Sequence, residues 1–151
     1  MFSRRGFNLQ SVAVGPCEEP GLSRMTLVLD EDDAGVEQVT KQLHKLIDVI
    51  KVSDITDDEP VERELVLVQV YAEGARRVEL LQLGEIFQAR VVDVGSQSVT
   101  FELTGEPARV ESALRLLRGF GIKELARTGV VAVAGNSRVK AGRMEREGAR
   151  V

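Results

Sequence analysis

The chain's 151 residues make room for one ordinary domain or two small ones, and 43% hydrophobic with 29% charged residues is globular composition. A net charge of −4 gives no overall attraction to nucleic acid or an anionic membrane, and 4% aromatic content without tryptophan makes a stacking platform for bases or sugars a poor expectation. One cysteine, Cys17, excludes an internal disulfide and fits a reducing compartment; no apolar run is long enough to span a membrane, and no apolar stretch follows Arg4-Arg5 as a secretory signal requires.

Leu9, Val12, Ala13 and Val14 predict a short strand over residues 8–14, followed by a turn-rich loop from Gly15-Pro16 to Pro20-Gly21. Met25, Leu27 and Leu29 alternate along a second strand, residues 22–29. Asp30-Glu31-Asp32-Asp33 then stacks acids where a helix N-terminus favours them, and Val36, Val39, Leu43 and Leu46 step by three and four along an amphipathic helix. Asp48 to Ile55, rich in β-branched residues, predicts a strand, and Thr56 to Pro60 is an acidic connector at the candidate domain boundary.

Leu65 to Tyr71 is nearly continuous apolar sequence, which predicts a strand buried on most of both faces. Leu80, Leu83, Gly84 and Phe87 carry helical spacing over residues 76–87, and residues 89–94 predict a strand with a turn at Gly95-Ser96-Gln97. Val99, Phe101 and Leu103 alternate strictly with polar residues. Pro107 is placed as a first helical residue, Val110, Ala113, Leu114 and Leu117 repeat the helical spacing, and Gly119 and Gly121 end it. Residues 122–134 are extended, and the basic stretch after Gly135 is expected to be a flexible, solvated tail.

The second half thus reads β-α-β-β-α-β and the first β-β-α-β. Leu9–Asp54 and Ala89–Ala126 follow one order, so a repeated split β-α-β unit is the simplest account. The fold class expected is α+β, two tandem ferredoxin-like units. The first lacks a leading strand and most of a helix, which leaves about half of one sheet face uncovered. Either the N-terminus is truncated or a partner supplies the cover.

Little chemistry is on offer. His44 has no cluster of ligands around it and is expected on a helix surface. Cys17 has no histidine to activate it, no glycine-rich loop precedes a helix, and Asp30–Asp33 lacks calcium-loop spacing. Arg4-Arg5 reads equally as an anion contact or as the end of a helix. Asn8, at the mouth of a strand behind Gly6, presents one acceptor and two donors to a small zwitterion. With no base, nucleophile and oxyanion donor assembled, the chain is expected to be a binding or regulatory module. An RNA-binding module of the same topology is an alternative, opposed by the absence of paired exposed aromatics; an acylphosphatase-like enzyme needs an anion loop that is missing.

Arg4–Gly15 (Arg-Arg-Gly-Phe-Asn-Leu-Gln-Ser-Val-Ala-Val-Gly), Leu22–Thr26, Lys41–Val49, Val61–Val68, Ile86–Val94 and Ala126–Gly129 resemble, in order, the small regulatory subunit of acetolactate synthase, most closely its cyanobacterial and plastid members. The resemblance implies a partial ACT domain over residues 1–56, a linker at 57–61, a C-terminal ferredoxin-like domain over 62–134 and the tail at 135–151. It implies a homodimer through the ACT domain, and a catalytic large subunit that uses thiamine diphosphate, magnesium and FAD, with no cofactor or catalytic residue in this chain. It also implies feedback inhibition by valine or a related branched-chain amino acid, in the cytoplasm or, for a photosynthetic eukaryote, the plastid stroma. A stand-alone ACT-like amino-acid-binding regulator is the nearest alternative. Of the family's two-part effector site only one part is present, as Asn8 with Leu9; the facing loop, first strand and most of the first helix are absent, so Phe2–Arg5 would be that helix's last turn.

Overall fold

The computed structural model describes residues 8–136. The expected helical turn at Phe2–Arg5, the hinge at Gly6 and the tail from residue 137 lie outside them. The elements in order are β1 (Leu9–Pro16), β2 (Ser23–Leu29), α1 (Asp33–His44), β3 (Val61–Tyr71), α2 (Arg76–Ile86), β4 (Arg90–Val94), β5 (Ser98–Gly105), α3 (Pro107–Leu117) and β6 (Ile122–Val133). They form an α+β fold with a two-stranded sheet, β1-β2, and a four-stranded sheet of order β4-β5-β3-β6. The chain divides into two compact units. One is Glu62–Gly129; the other comprises, among the described residues, 8–61 and 130–136.

The second unit follows its sequence closely. Alternation of Val99, Phe101 and Leu103 becomes β5 with those three side chains buried. The helical spacing of Val110, Ala113, Leu114 and Leu117 becomes α3, with all four against the core and Pro107 in its first turn. Between β5 and β6 lies β3, antiparallel to β5, with Val68 opposite Phe101 and Val66 opposite Leu103. One expectation needs correcting here. β3 is not buried on most of both faces: Glu64, Val66, Val68 and Val70 are buried, whereas Leu67 and Tyr71 are nearly half exposed. Both helices follow strands on the core side, and an antiparallel sheet of this kind needs only one covered face.

Gly84 shows how closely that core is packed. It is buried in α2, and a Cβ built there would lie 2.7 Å from Cε1 of Phe101, whose ring is itself buried. Gly84→Ala gains roughly 1 kcal/mol of helix propensity but forces an overpacking cost of about 2 kcal/mol. The expected net loss is about 1 kcal/mol, read as a lower melting temperature; an unchanged or raised melting temperature would show that the ring yields.

The first unit is thinner. β1 and β2 pair antiparallel from Leu9–Leu29 to Pro16–Ser23, with an irregularity after Leu9. Its buried apolar residues are Ala13, Val39, Leu43 and Val130. Asp32 caps α1: its carboxylate accepts from the Gly35 N–H at 2.8 Å, and Asp33 follows in the first turn. Two expectations fail in this unit. Leu46 does not extend the helical stripe, because α1 ends at His44 and Leu46 is 47% exposed. Nor do residues 48–55 form a strand: they hold turns and a single bridge at Lys51. β-Branched composition favours extended backbone, but a strand also needs a neighbour along its length. The compact first unit also takes in residues 130–136: the Val130 N–H donates to Ser11 Oγ at 2.8 Å and the Gly135 N–H to the Asp58 carbonyl at 3.0 Å. Within β6, Gly129 has a φ of +83°, which suits glycine.

Candidate functional site

Asn8 stands at the entrance to β1, exposed, and three hydrogen bonds tie it to the loop between β2 and α1. Its backbone N–H donates to Glu31 Oε2 at 2.6 Å, its Nδ2 donates to Asp30 Oδ2 at 3.2 Å, and its carbonyl accepts from the Asp30 N–H at 2.8 Å. Four acids in a row therefore divide their work. Asp32 and Asp33 serve the helix; Asp30 and Glu31 reach back to the strand. The carboxyamide keeps its Oδ1 and one Nδ2 proton outside these bonds. The result is a small acceptor-rich corner: two carboxylates beside an amide oxygen suit a cation with several N–H donors, such as a primary ammonium. Leu9 follows, half-buried and opposite Leu29. Sequence spacing could not join Asn8 to Asp30 and Glu31, which lie 22 and 23 residues away.

Asn8→Ala removes the amide from this corner and keeps the backbone bonds. A partly solvated hydrogen bond is worth about 1 kcal/mol. A loss of that size in urea denaturation of the full chain is expected; a change above about 3 kcal/mol would mean that Asn8 holds the unit together in some further way.

The other candidates stay apart. His44 ends α1, exposed. Cys17 lies in the loop after β1, with its Sγ 3.6 Å from the Leu22 carbonyl, and no base beside it among the described residues. Among the described residues no group of three His, Cys, Asp or Glu side chains is arranged to hold a metal ion, and no helix is long and apolar enough to cross a membrane.

Two features escaped the sequence. One is an ion triad in the second unit. The Glu64 carboxylate on β3, only 4% exposed, accepts from Arg127 Nη2 at 2.6 Å and Nε at 3.3 Å, while Arg127 Nη1 donates to Glu111 of α3 at 3.0 Å. Hydrogen bonding to Glu64 raises the Arg127 pKa above its ordinary value; burial opposes this and Glu111 adds to it. The other is a cavity of about 360 Å³ in the first unit, lined chiefly by Leu27, Leu29, Val39, Leu43, Val52 and Ile55. Asn8 does not line it.

Comparison with known proteins places this geometry. Residues 63–136 match a family model described as the small subunit of acetolactate synthase, and residues 1–51 match an AHAS small subunit-like ACT domain. An acetolactate synthase small subunit from Mycolicibacterium smegmatis is 48% identical over 134 residues, 89% of this chain and 79% of the relative. A probable acetolactate synthase small subunit from Archaeoglobus fulgidus is 52% identical over 139 residues, 91% of this chain and 87% of the relative. Among solved structures, the acetolactate synthase small subunit from Thermotoga maritima superposes with a TM-score of 0.77 at 39% identity, covering 89% of this chain and 84% of that one.

Proposed function

We propose a function from one premise: this chain belongs to the small-subunit family of acetolactate synthase. It is a regulatory subunit in branched-chain amino acid biosynthesis and not the catalytic subunit. The observation that carries this is the ordered match of an ACT model and a small-subunit model to successive parts of one chain. Its partner is a catalytic large subunit.

Beyond that premise we infer three further things. The small subunits pair with each other through the first unit. Valine or a related branched-chain amino acid is the effector, held at Asn8 and Leu9. The catalytic partner supplies thiamine diphosphate, magnesium and FAD, and this chain binds none of them, working in the cytoplasm. One feature supports the effector reading: the carboxylates of Asp30 and Glu31 offer acceptors to an α-ammonium beside the Asn8 amide.

The effector and partner readings are tested together. The full chain and a catalytic subunit should co-elute in gel filtration, and valine titrated into the complex should release heat that Asn8→Ala weakens about tenfold. Separate elution would contradict the partnership. Undiminished valine binding by Asn8→Ala would move the effector elsewhere.

A further inference from the structure

We infer that β6 is a conformational tie between the two units: the side chains that anchor it in the second unit set how readily its last residues come away from the first.

The chain passes between the units twice, at Val61–Glu62 and at Gly129–Val130. Neither passage falls in a loop. The first lies within β3 and the second within β6, and the two strands are neighbours in one sheet. They run in opposite directions. The Tyr71 N–H donates to the Gly121 carbonyl, just ahead of β6, at 2.9 Å, and further back along β3 the Leu65 N–H donates to Thr128 Oγ1 at 3.1 Å. A flexible linker lets each domain fluctuate alone, whereas a strand that continues from one into the other makes the opening of either one pull on the same backbone.

The anchors of β6 crowd against the second passage. On the near side, Arg127 donates twice to the Glu64 carboxylate, at 2.6 and 3.3 Å, and once to Glu111 of α3 at 3.0 Å. Thr128 follows, taking the Leu65 N–H and donating its own proton to the Gly129 carbonyl at 2.7 Å. On the far side, Val130 is buried and its N–H donates to Ser11 Oγ of β1 at 2.8 Å. Ala132, Val133 and Ala134 then line the apolar cavity of the first unit beside Leu27 and Leu43. Gly135 closes the run: its N–H donates to the Asp58 carbonyl at 3.0 Å, and a Cβ built there would collide with the Glu59 carbonyl. From Arg127 to Val130 is about 10 Å of extended chain. Side-chain hydroxyls take backbone N–H groups on both sides of the passage, so either anchor can be removed without altering the backbone.

With Arg127 and Thr128 in place, residues 130–135 must leave the first unit as a short segment fixed at both ends. Without the guanidinium, the opening segment extends back along β6 and costs less. The coupling is reciprocal: whatever tightens residues 130–135 also steadies the strand at Thr128. In a regulatory subunit this gives occupancy of the first unit a route into the second. The tie itself does not depend on that role, and its test needs neither an effector nor a catalytic subunit.

The test is residue-resolved amide exchange on the full, isotope-labelled chain with three single variants. Arg127→Met is expected to speed exchange of the Val130 and Gly135 amides by about tenfold or more, while the Asp30 amide stays within about twofold. Ser11→Ala works from the other side and should speed the Leu65 amide by about threefold or more, with Tyr71 unchanged. Arg77→Met is the control. Its guanidinium donates to the carbonyls of Ala72, Gly95 and Ser96, so its loss weakens the second unit away from β6 and should leave Val130 and Gly135 within about twofold. Unchanged Val130 and Gly135 amides in Arg127→Met would overturn the inference, because the units would then fluctuate independently. So would an unchanged Leu65 amide in Ser11→Ala, or acceleration by Arg77→Met as large as that by Arg127→Met, which would trace the effect to stability in general. If Arg127→Met does not fold, Arg127→Lys keeps the charge beside Glu64 but gives up the fork, and carries the same expectation at about threefold.

Discussion

Arg127→Met is expected to destabilise the second unit by about 3 kcal/mol, although Arg127 is one-third exposed. The reason lies with its partner. Glu64 sits on the core face of β3 at 4% exposure, and Arg127 is the cation recorded against it. Removing the guanidinium leaves a carboxylate desolvated and unpaired, which costs far more than the bridge itself is worth. Replacing both, Glu64→Met with Arg127→Met, should bring stability back to within about 1 kcal/mol of the parent, because matched apolar groups in place of a buried pair are commonly neutral. The sign of the pH effect also follows. Arg127 has a raised pKa, so its contribution is fully present below the ordinary arginine range and is lost only as pH rises through the folded value. Between about pH 6 and 9 the titration of Arg127 itself therefore adds no slope to the stability of the parent chain. The single tyrosine, Tyr71 on β3, reports on this unit in fluorescence-detected denaturation. A double variant as unstable as the single one would contradict the desolvation account.

Phe101→Ala is the other large effect, about 4 kcal/mol. Phe101 is 1% exposed at the centre of β5, opposite Val68 on one side and Val91 on the other, with Gly84 of α2 against its ring. Removing the ring leaves a cavity bounded by two strands and a helix, and β-sheet backbone cannot collapse into it cheaply. Phe101→Leu keeps most of the volume and should cost about half as much. Both are read by the same Tyr71 signal. A loss below about 1 kcal/mol for Phe101→Ala would mean that α2 moves in to fill the space, and would also undercut the predicted penalty of Gly84→Ala.

Legibility in the sequence tracked how local each signal was. β5 and α3 were readable because their patterns repeat within the element: period two at Val99, Phe101 and Leu103, and three-four steps from Val110 to Leu117. β3 was located but its burial was overstated, since an apolar run does not say how many faces have neighbours. Residues 48–55 went wrong for the complementary reason. Their composition favours a strand, yet strand formation depends on what lies alongside, and that place holds a cavity. Leu46 fits the helical spacing and still falls beyond the end of α1, because spacing marks a face and not a terminus.

The candidate site divides in the same way. Asn8 and Leu9 were found through the motif that surrounds them, not through any pattern in side-chain spacing. Their partners Asp30 and Glu31 were visible as acids but looked like helix caps, because the bonds that distinguish the pairs cross 22 and 23 residues. Glu64 and Arg127, 63 residues apart, left no local trace beyond a charged residue in an apolar strand. A glutamate in the inward register of β3, two places before Val66, is the signal that could have suggested a buried partner.

The central claim is that this chain regulates a catalytic subunit and performs no chemistry itself. Its most direct measurement is the initial rate of acetolactate formation from pyruvate by a catalytic subunit from this family, supplied with its cofactors, as this chain is added at increasing ratio. The account predicts no product from this chain alone and a saturable rise in the catalytic subunit's rate on mixing. A rate that stays flat through a clear molar excess of folded chain would contradict it.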